Sequence, residues 1–375
     1  DPQGINPPLL AWIEWNYYLV SSDKNRLKEV LPKLTKHYRF IEEYLQDEPN
    51  YYRWNAGGEG WDNINWNQGD DEVVYYVDML AQQALAALHI AKIADEVNTP
   101  DTAHEYRTEY ESKREPLNTI YWNPAENWYC SLTADKRFTR KTMNGMWPLL
   151  TGLADREKAE KAVRDTLMNP EHFLTEPMPL PTVARDEPGY NPLGEYWLGG
   201  VWHNISLMTL RALETAGFNA EAGELAERTL GATALCYNTF DMFPRSLWEC
   251  YAPEKAAPSS HKLVCPDKEG GVREEFMGWG CCIITMLIEN LLGFYVDAPS
   301  SELRWTVRLE NEAHGITGLR FGTVVTDLKA APQSDGDNNT LKLDVFSNEA
   351  YSLVVVRNDI EKRFAVAPGP NRFEA

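Results

Sequence analysis

The feature that most constrains this chain is a rhythm. From residue 8 to residue 294, helical segments come in pairs, with a short connection inside each pair and a long one between pairs. Read from apolar spacing, nine helices cover 9–20, 23–46, 72–96, 99–118, 141–153, 156–168, 201–216, 220–236 and 274–292. In the second of these, Leu27, Val30, Leu31, Leu34, Tyr38, Ile41 and Leu45 form one stripe, the mark of a helix with one face on a core. The long connections are rich in Gly, Pro, aromatic and acidic residues. Hairpins of this kind suit concentric helices, with an inner set covered by an outer set and the long loops gathered at one end. A stacked solenoid is the competing arrangement, but the pairs share no fixed-length repeat consensus. After residue 300 the period changes to two, around Leu303, Leu341 and Tyr351, which predicts strands. The expectation is a mainly α protein, with a helical domain over 1–300 and a small antiparallel β domain over 301–375.

Charge and composition narrow the partners. Among 375 residues, 56 Asp and Glu outnumber 36 Lys and Arg, for a formal net charge of -20. Such a surface repels phosphate backbones and anionic lipid, so no nucleic-acid partner is expected. No run of 18 apolar residues is present, so no membrane partner is expected either. The opening Asp1-Pro2-Gln3-Gly4 lacks a signal-peptide pattern and an initiator Met. A soluble chain is expected, either cytoplasmic or periplasmic or secreted after processing. Six Cys lack CxxC spacing and seven His lack HxxH spacing, so no metal or other cofactor is expected. Mostly free thiols are expected, with Cys250–Cys265 as a candidate bridge. The 13 Trp, 18 Tyr and 12 Phe provide planar faces of the kind that sugar rings pack on.

Three loops carry candidate chemistry. In the first, Gly60-Trp61-Asp62-Asn63 and Trp66 set a carboxyl between indoles. An apolar neighbour raises a carboxyl pKa and favours the protonated form that a general acid needs, which makes Asp62 the candidate, with Glu59 as competitor. In the second, Glu249 lies inside the aromatic run Trp248-Glu249-Cys250-Tyr251, where a charge is either paired or catalytic; it is the candidate base. The bland alternatives are a polar loop or cap role for Asp62 and an ion pair of Glu249 with Arg245. In the third, Tyr196, Trp197 and Trp202 offer stacking faces, and His203 and Asn204 offer hydrogen bonds at a helix start. Gln3 and Trp12 from the first helix, and Glu275 and Trp279 from the last, complete the candidate substrate-binding set with Trp61, Asn63 and Trp66. Asp62 and Glu249 are 187 residues apart. Glycoside hydrolysis needs such a pair, separated by about 6.5–9.5 Å for inversion or about 5–5.5 Å for retention.

These motifs, with Tyr196-Trp197-Leu198-Gly199-Gly200-Val201-Trp202, Met146-Trp147-Pro148-Leu149 and Phe276-Met277-Gly278-Trp279-Gly280, resemble the landmarks of inverting (α/α)6 glycoside hydrolases. The resemblance is closest to glycoside hydrolase family 63 with its mannosylglycerate-hydrolase-like members, and more remote to the family 37 trehalases. It runs from about Gln3 to Phe294. It implies a toroidal (α/α)6 barrel, Asp62 as general acid, Glu249 as general base, and net inversion at an α-linked glucosyl or mannosyl bond. The implied carbohydrate substrate is a disaccharide, a glycosylglycerate or an oligosaccharide. Two departures stand out. Leu198 and Gly200 occupy positions where the family has Arg and Pro, so a rigid donor fork is missing. Nine helices also stand where a full barrel has twelve. The resemblance thus implies a barrel lacking about three first helices, completed by another chain or an N-terminal segment, or left open. The alternatives are a non-catalytic carbohydrate-binding protein on a degenerate barrel, and a sugar lyase or epimerase on a similar toroid.

Overall fold

A computed structural model describes residues 7–54, 61, 72–240, 245–260, 277–309, 311–332, 340–357 and 360–375. The chain divides into two compact units, Asp1–Ala11 with Leu31–Ile284, and Trp12–Val30 with Thr285–Ala375. The arrangement is the expected one, mainly α and toroid-like with a small C-terminal β unit. Among the described residues, no helix is long and apolar enough to cross a membrane.

The helices of the described residues are α1 (Leu10–Ser21), α2 (Lys24–Tyr44), α3 (Val77–Glu96), α4 (Pro100–Ser112), α5 (Arg114–Thr119), α6 (Trp147–Thr151), α7 (Arg156–Lys161), α8 (His203–Thr215), α9 (Asn219–Thr239), α10 (Met277–Gly280) and α11 (Cys282–Thr285). Within the first unit, α3 packs on α6 and α6 on α8, while α4 and α9 pack on their hairpin partners α3 and α8. This is the inner and outer pattern that the hairpin rhythm predicts. Composition explains the layering. The Ala-rich α3 is buried along nearly its whole length, including Asp78, whereas the polar α4 buries only Ala103 and Tyr106. Small side chains let α3 approach neighbours on several sides, and a narrow apolar stripe suits α4 to the outer layer.

Several expected helices are shorter or more broken than the periodicity predicts; 156–168, for one, is α7 followed by a π turn at Ala162–Leu167. Residues 72–76 are extended before α3, because the Val74 and Tyr75 amides both donate to the Leu132 carbonyl, at 2.8 and 3.0 Å. Residues 141–153 hold a 3-10 turn, Met143–Met146, and then α6, which ends at Gly152 with φ +74°. Thr142 pairs with Val183 instead of joining a helix. The last expected helix, 274–292, is broken into α10, α11 and a π turn at Met286–Leu291. Two short hairpins, β1 (Gln46–Glu48) with β2 (Tyr51–Tyr52) and β3 (Trp122–Asn123) with β4 (Trp128–Tyr129), lie in the long loops.

The second unit carries β5 (Phe294–Asp297), β6 (Glu302–Thr306), β7 (His314–Phe321), β8 (Val324–Pro332), β9 (Leu341–Ser347), β10 (Tyr351–Arg357), β11 (Ile360–Val366) and β12 (Gly369–Glu374). Two four-stranded sheets form, ordered β11-β10-β6-β5 and β12-β9-β8-β7. In β9 buried and exposed residues alternate strictly, and Leu341, Leu343 and Val345 join Leu303, Trp305, Leu328, Leu353 and Val355 in the core. The expectation of a wholly antiparallel unit is corrected at one pair: β6 and β10 run parallel, with Leu303 opposite Leu353 and Trp305 opposite Val355. The chain leaves β6, builds three strands of the other sheet, and returns in the same direction. Residues before 301 also belong here, since β5 pairs with β6 and the backbone of α1 is bonded to this unit through Leu19–Ala298 and Val20–Gly322.

Candidate active site

The segment around Glu249 is built from the backbone outward. Val201 and Tyr251 exchange both of their main-chain hydrogen bonds, each 2.9 Å. The Trp248 amide donates to the Tyr251 hydroxyl at 3.0 Å. Trp248, Tyr251 and Val201 pack with Met178, Ala232 and Cys236 in one apolar cluster. Glu249 is thereby held between buried neighbours and is itself only 9% exposed. Cys250 is a free thiol whose buried sulfur lies 2.9 Å from the Ser259 hydroxyl. Burial pushes that thiol up to about 12. The other half of the candidate bridge, Cys265, lies outside the described residues.

A tight loop leads into Val201. Gly194, Tyr196 and Gly199 take positive φ of 66°, 60° and 86°. Gly200 is forced by proximity: a Cβ there would sit 2.0 Å from the Tyr196 carbonyl oxygen. The loop is fastened from inside by Thr182, whose hydroxyl donates to the Trp197 carbonyl at 2.6 Å and lies 3.1 Å from the Gly200 carbonyl. The Thr182 amide donates to the same Gly200 oxygen at 3.2 Å. Trp202 closes the turn by donating its indole N–H to the Tyr196 carbonyl at 3.2 Å.

This backbone stacks three indoles. Trp197 lies 3.8 Å from Trp202 at an interplanar angle of 4°, and 4.8 Å from Trp61 at 20°. Tyr196 meets the Trp197 and Trp202 rings edge-on. The sequence suggests stacking faces for a sugar at Trp61, Trp197 and Trp202. In the structure these three are 5%, 3% and 1% exposed, and Trp197 is sandwiched between the other two. Tyr196 keeps accessible surface. Trp279, on α10, is 42% exposed, and the neighbouring Gly280 abuts the Trp248 carbonyl.

His203 opens α8 and is fully buried. Its Nε2 lies 3.0 Å from the Thr233 hydroxyl on α9, and its ring is 4.6 Å from Tyr251. Desolvation drives its pKa down to about 4, so it is neutral at pH 7. Its hydrogen-bonding edge thus joins α8 to α9. Trp12 belongs to the second unit and is partly buried. Gln3, Glu59, Asp62, Asn63, Trp66 and Glu275 lie outside the described residues.

Sequence reading passes over two buried polar groups that shape this end of the unit. One is Thr182, an ordinary residue in a Pro-rich stretch. The other is Lys141, whose ammonium reaches Glu126, Asp186 and Glu187 at 2.6, 2.9 and 2.9 Å, with its side chain only 3% exposed. Burial pulls the Lys141 pKa down, but hydrogen bonds to the three carboxylates outweigh this and hold it above the usual lysine range. These carboxylates lie close enough together to attract a cation, and the lysine fills that place. Asp186 also takes His172 at 2.8 Å. The acidic run Asp186-Glu187 therefore anchors the segment that follows Thr182.

The arrangement ties a buried carboxylate to an indole stack whose first member, Trp61, immediately precedes Asp62 in sequence. The family profile described as "Mannosylglycerate hydrolase MGH1-like glycoside hydrolase domain" matches residues 45–263. An uncharacterised protein of Borreliella burgdorferi is 26% identical over 316 residues, covering 82% of this chain and 63% of its own length. The mannosyl-oligosaccharide glucosidase of Saccharomyces cerevisiae is 24% identical over 309 residues, covering 71% of this chain and 35% of its own. The chain thus spans under two thirds of the length of these curated relatives. Among solved structures, the GH63 mannosylglycerate hydrolase from Thermus thermophilus in complex with glucose superposes with a TM-score of 0.59 at 19% identity, over 76% of this chain and 75% of that one. With more than half of its residues inside the matched profile, the chain belongs to the mannosylglycerate hydrolase MGH1-like glycoside hydrolase family.

Proposed function

We propose that this chain carries the site of an inverting α-glycosidase. In this reading Asp62 protonates the glycosidic oxygen, and Glu249 takes a proton from a water that attacks the anomeric carbon from the opposite face. The bond between anomeric carbon and leaving oxygen breaks as the bond to water forms. The substrate is an α-glucoside or α-mannoside in a disaccharide, a glycosylglycerate or an oligosaccharide. The observation that carries the reading is the burial of Glu249 in an apolar segment paired, through Tyr251 and Val201, with the loop whose Trp197 stacks on Trp61. A side chain so enclosed is held in one place, as a base must be while a water is deprotonated. Two carboxyl groups and water suffice for inversion, so the reaction calls for no cofactor.

The test is a panel of α-glucosides and α-mannosides read by proton NMR as product forms. The β-anomer appearing first from an α-substrate supports inversion. Asp62→Asn and Glu249→Gln should each lower kcat by about 10²- to 10⁴-fold, with sugar binding preserved. Sugar affinity without turnover in the unaltered chain would point instead to a binding protein. An ultraviolet-absorbing unsaturated product would indicate a lyase, and interconversion of free sugars an epimerase.

A further inference from the structure

Thr182 is fully buried, and its hydroxyl and amide reach two backbone carbonyls of the 194–202 loop. Its hydroxyl has two carbonyls in range, those of Trp197 and Gly200, and its amide has one. Both oxygens lie in a turn of positive-φ residues, where the backbone has no regular ladder to hold it. The loop then does two jobs. Trp197 at its centre holds Trp61 on one side and Trp202 on the other. Val201 at its end makes the two-bond bridge that holds Tyr251, two residues after Glu249. A shift of this loop therefore moves the indole beside Asp62 in sequence and the segment bearing Glu249 at once.

We propose that Thr182 is a positioning residue for the hydrolytic site: by fastening the Trp197 and Gly200 carbonyls, it fixes the indole stack to the Glu249 segment. The inference rests on the glycosidase reading for its catalytic consequence, and on geometry alone for the lock itself. Threonine suits the place because its β-branch restricts χ1, so the hydroxyl is preset toward the two carbonyls. Valine has the same shape without the donor and leaves a buried carbonyl unsatisfied.

The experiment compares Thr182→Val, Thr182→Ala and Thr182→Ser with the unaltered chain at a temperature well below unfolding. Two quantities are read: kcat and KM on whichever α-glycoside is turned over, and the far-ultraviolet circular-dichroism couplet of the stacked indoles. The share of the couplet due to Trp197 is defined by Trp197→Phe. Expected for T182V is a loss of about 10- to 100-fold in kcat with KM nearly unchanged, since small misplacements act on the transition state more than on binding. The Trp197 share of the couplet should weaken, and T182S should restore both readouts. Should T182V not fold, T182A is read in the same way. A T182V or T182A protein with unaltered kcat and couplet overturns the proposal, even if its melting temperature falls. So does a T182S protein as impaired as T182V, since serine keeps the donor that valine lacks. If the unaltered chain turns over no α-glycoside, the glycosidase reading fails by itself. The couplet then still decides on the lock, and an unchanged couplet removes it too.

Discussion

Trp197 and Trp202 lie 3.8 Å apart with their rings 4° from parallel, five residues apart across a turn that no helix or strand could make. Such close overlap of two buried indoles leaves no room for a sugar between them. Of the aromatic residues proposed to bind sugar, Tyr196 and Trp279 are among those described that keep accessible surface. Trp197→Ala should cost about 3–5 kcal/mol, the range for deleting a large buried aromatic. Denaturant midpoints of the two proteins measure this. A cost below about 1 kcal/mol would mean that the stack does not hold the loop.

Two glycines give opposite expectations for the same substitution. Gly200→Ala would drive a methyl to 2.0 Å from the Tyr196 carbonyl oxygen, a backbone atom that cannot swing away. It should destabilise by more than about 2 kcal/mol and disturb the Val201–Tyr251 pair. Gly231 stands inside α9 with nothing within 4 Å of its would-be Cβ. Gly231→Ala should therefore stabilise by about 0.5–1 kcal/mol, through helix propensity alone. Thermal melts of the pair, run side by side, check both directions.

Lys141→Met would leave Glu126, Asp186 and Glu187 facing one another without their cation. With two of these carboxylates more than a third exposed, solvent screens part of the repulsion, and a loss of about 2 kcal/mol at pH 7 is expected. The pH dependence is the sharper sign of the mechanism. In the unaltered chain burial raises the Asp186 pKa, but His172 and Lys141 more than offset this, so its folded value is depressed. That contribution is present above the ordinary aspartate pKa and is lost as pH falls through the folded one. Without Lys141, mutual repulsion should raise the folded values, and the variant should regain stability on acidification. Urea unfolding of both proteins from about pH 7 to about pH 4 measures the difference. A deficit that does not shrink with falling pH would sink this account.

His203 should make the first unit acid-sensitive. Its folded pKa is lowered by burial to about 4, against an ordinary histidine value of 6.5. The unfolded chain then binds a proton that the folded one refuses. Stability from this residue is intact above about pH 6.5 and declines as pH falls toward about 4, by on the order of 3 kcal/mol at most. His203→Gln, which keeps a donor and acceptor near Thr233, should flatten that part of the stability curve. His89, lowered to about 3 by desolvation and by Lys92, should add to the same decline. The slope of urea midpoints against pH in the two proteins reports the share due to His203.

Much of the helical layout was legible because long amphipathic runs carry their own period. The Ala- and Leu-rich stretch over 72–96 and the stretch over 99–118 read as a helix pair, and the structure forms that hairpin as α3 and α4. What local period could not reveal depends on partners far along the chain. Residues 72–76 read as a helix start until Leu132 claims two of their amides. Strand segments could be recognised around Leu303 and Tyr351, but their parallel pairing is set by the three strands between them. In the site, the motif Trp248-Glu249-Cys250-Tyr251 marked a buried carboxylate correctly. The aromatic richness around Trp197 gave no sign of whether the rings face a ligand or each other. Thr182 gave no signal at all, since a hydroxyl in a Pro-rich stretch looks like any loop residue until its two carbonyls are in view.

The parallel pairing of β6 with β10 has a bearing on how the chain reaches this state. A strand at 302–306 that must wait for residues 351–357 cannot be completed by anything nearby, so its sheet closes only after the intervening hairpins have taken shape. Connections this distant in sequence slow collapse, and they lengthen the interval in which Leu303 and Trp305 stay wetted. A ribosome pausing near residue 340 would leave the apolar edge of β6 open to strangers, which makes that stretch the place to look for aggregation during synthesis.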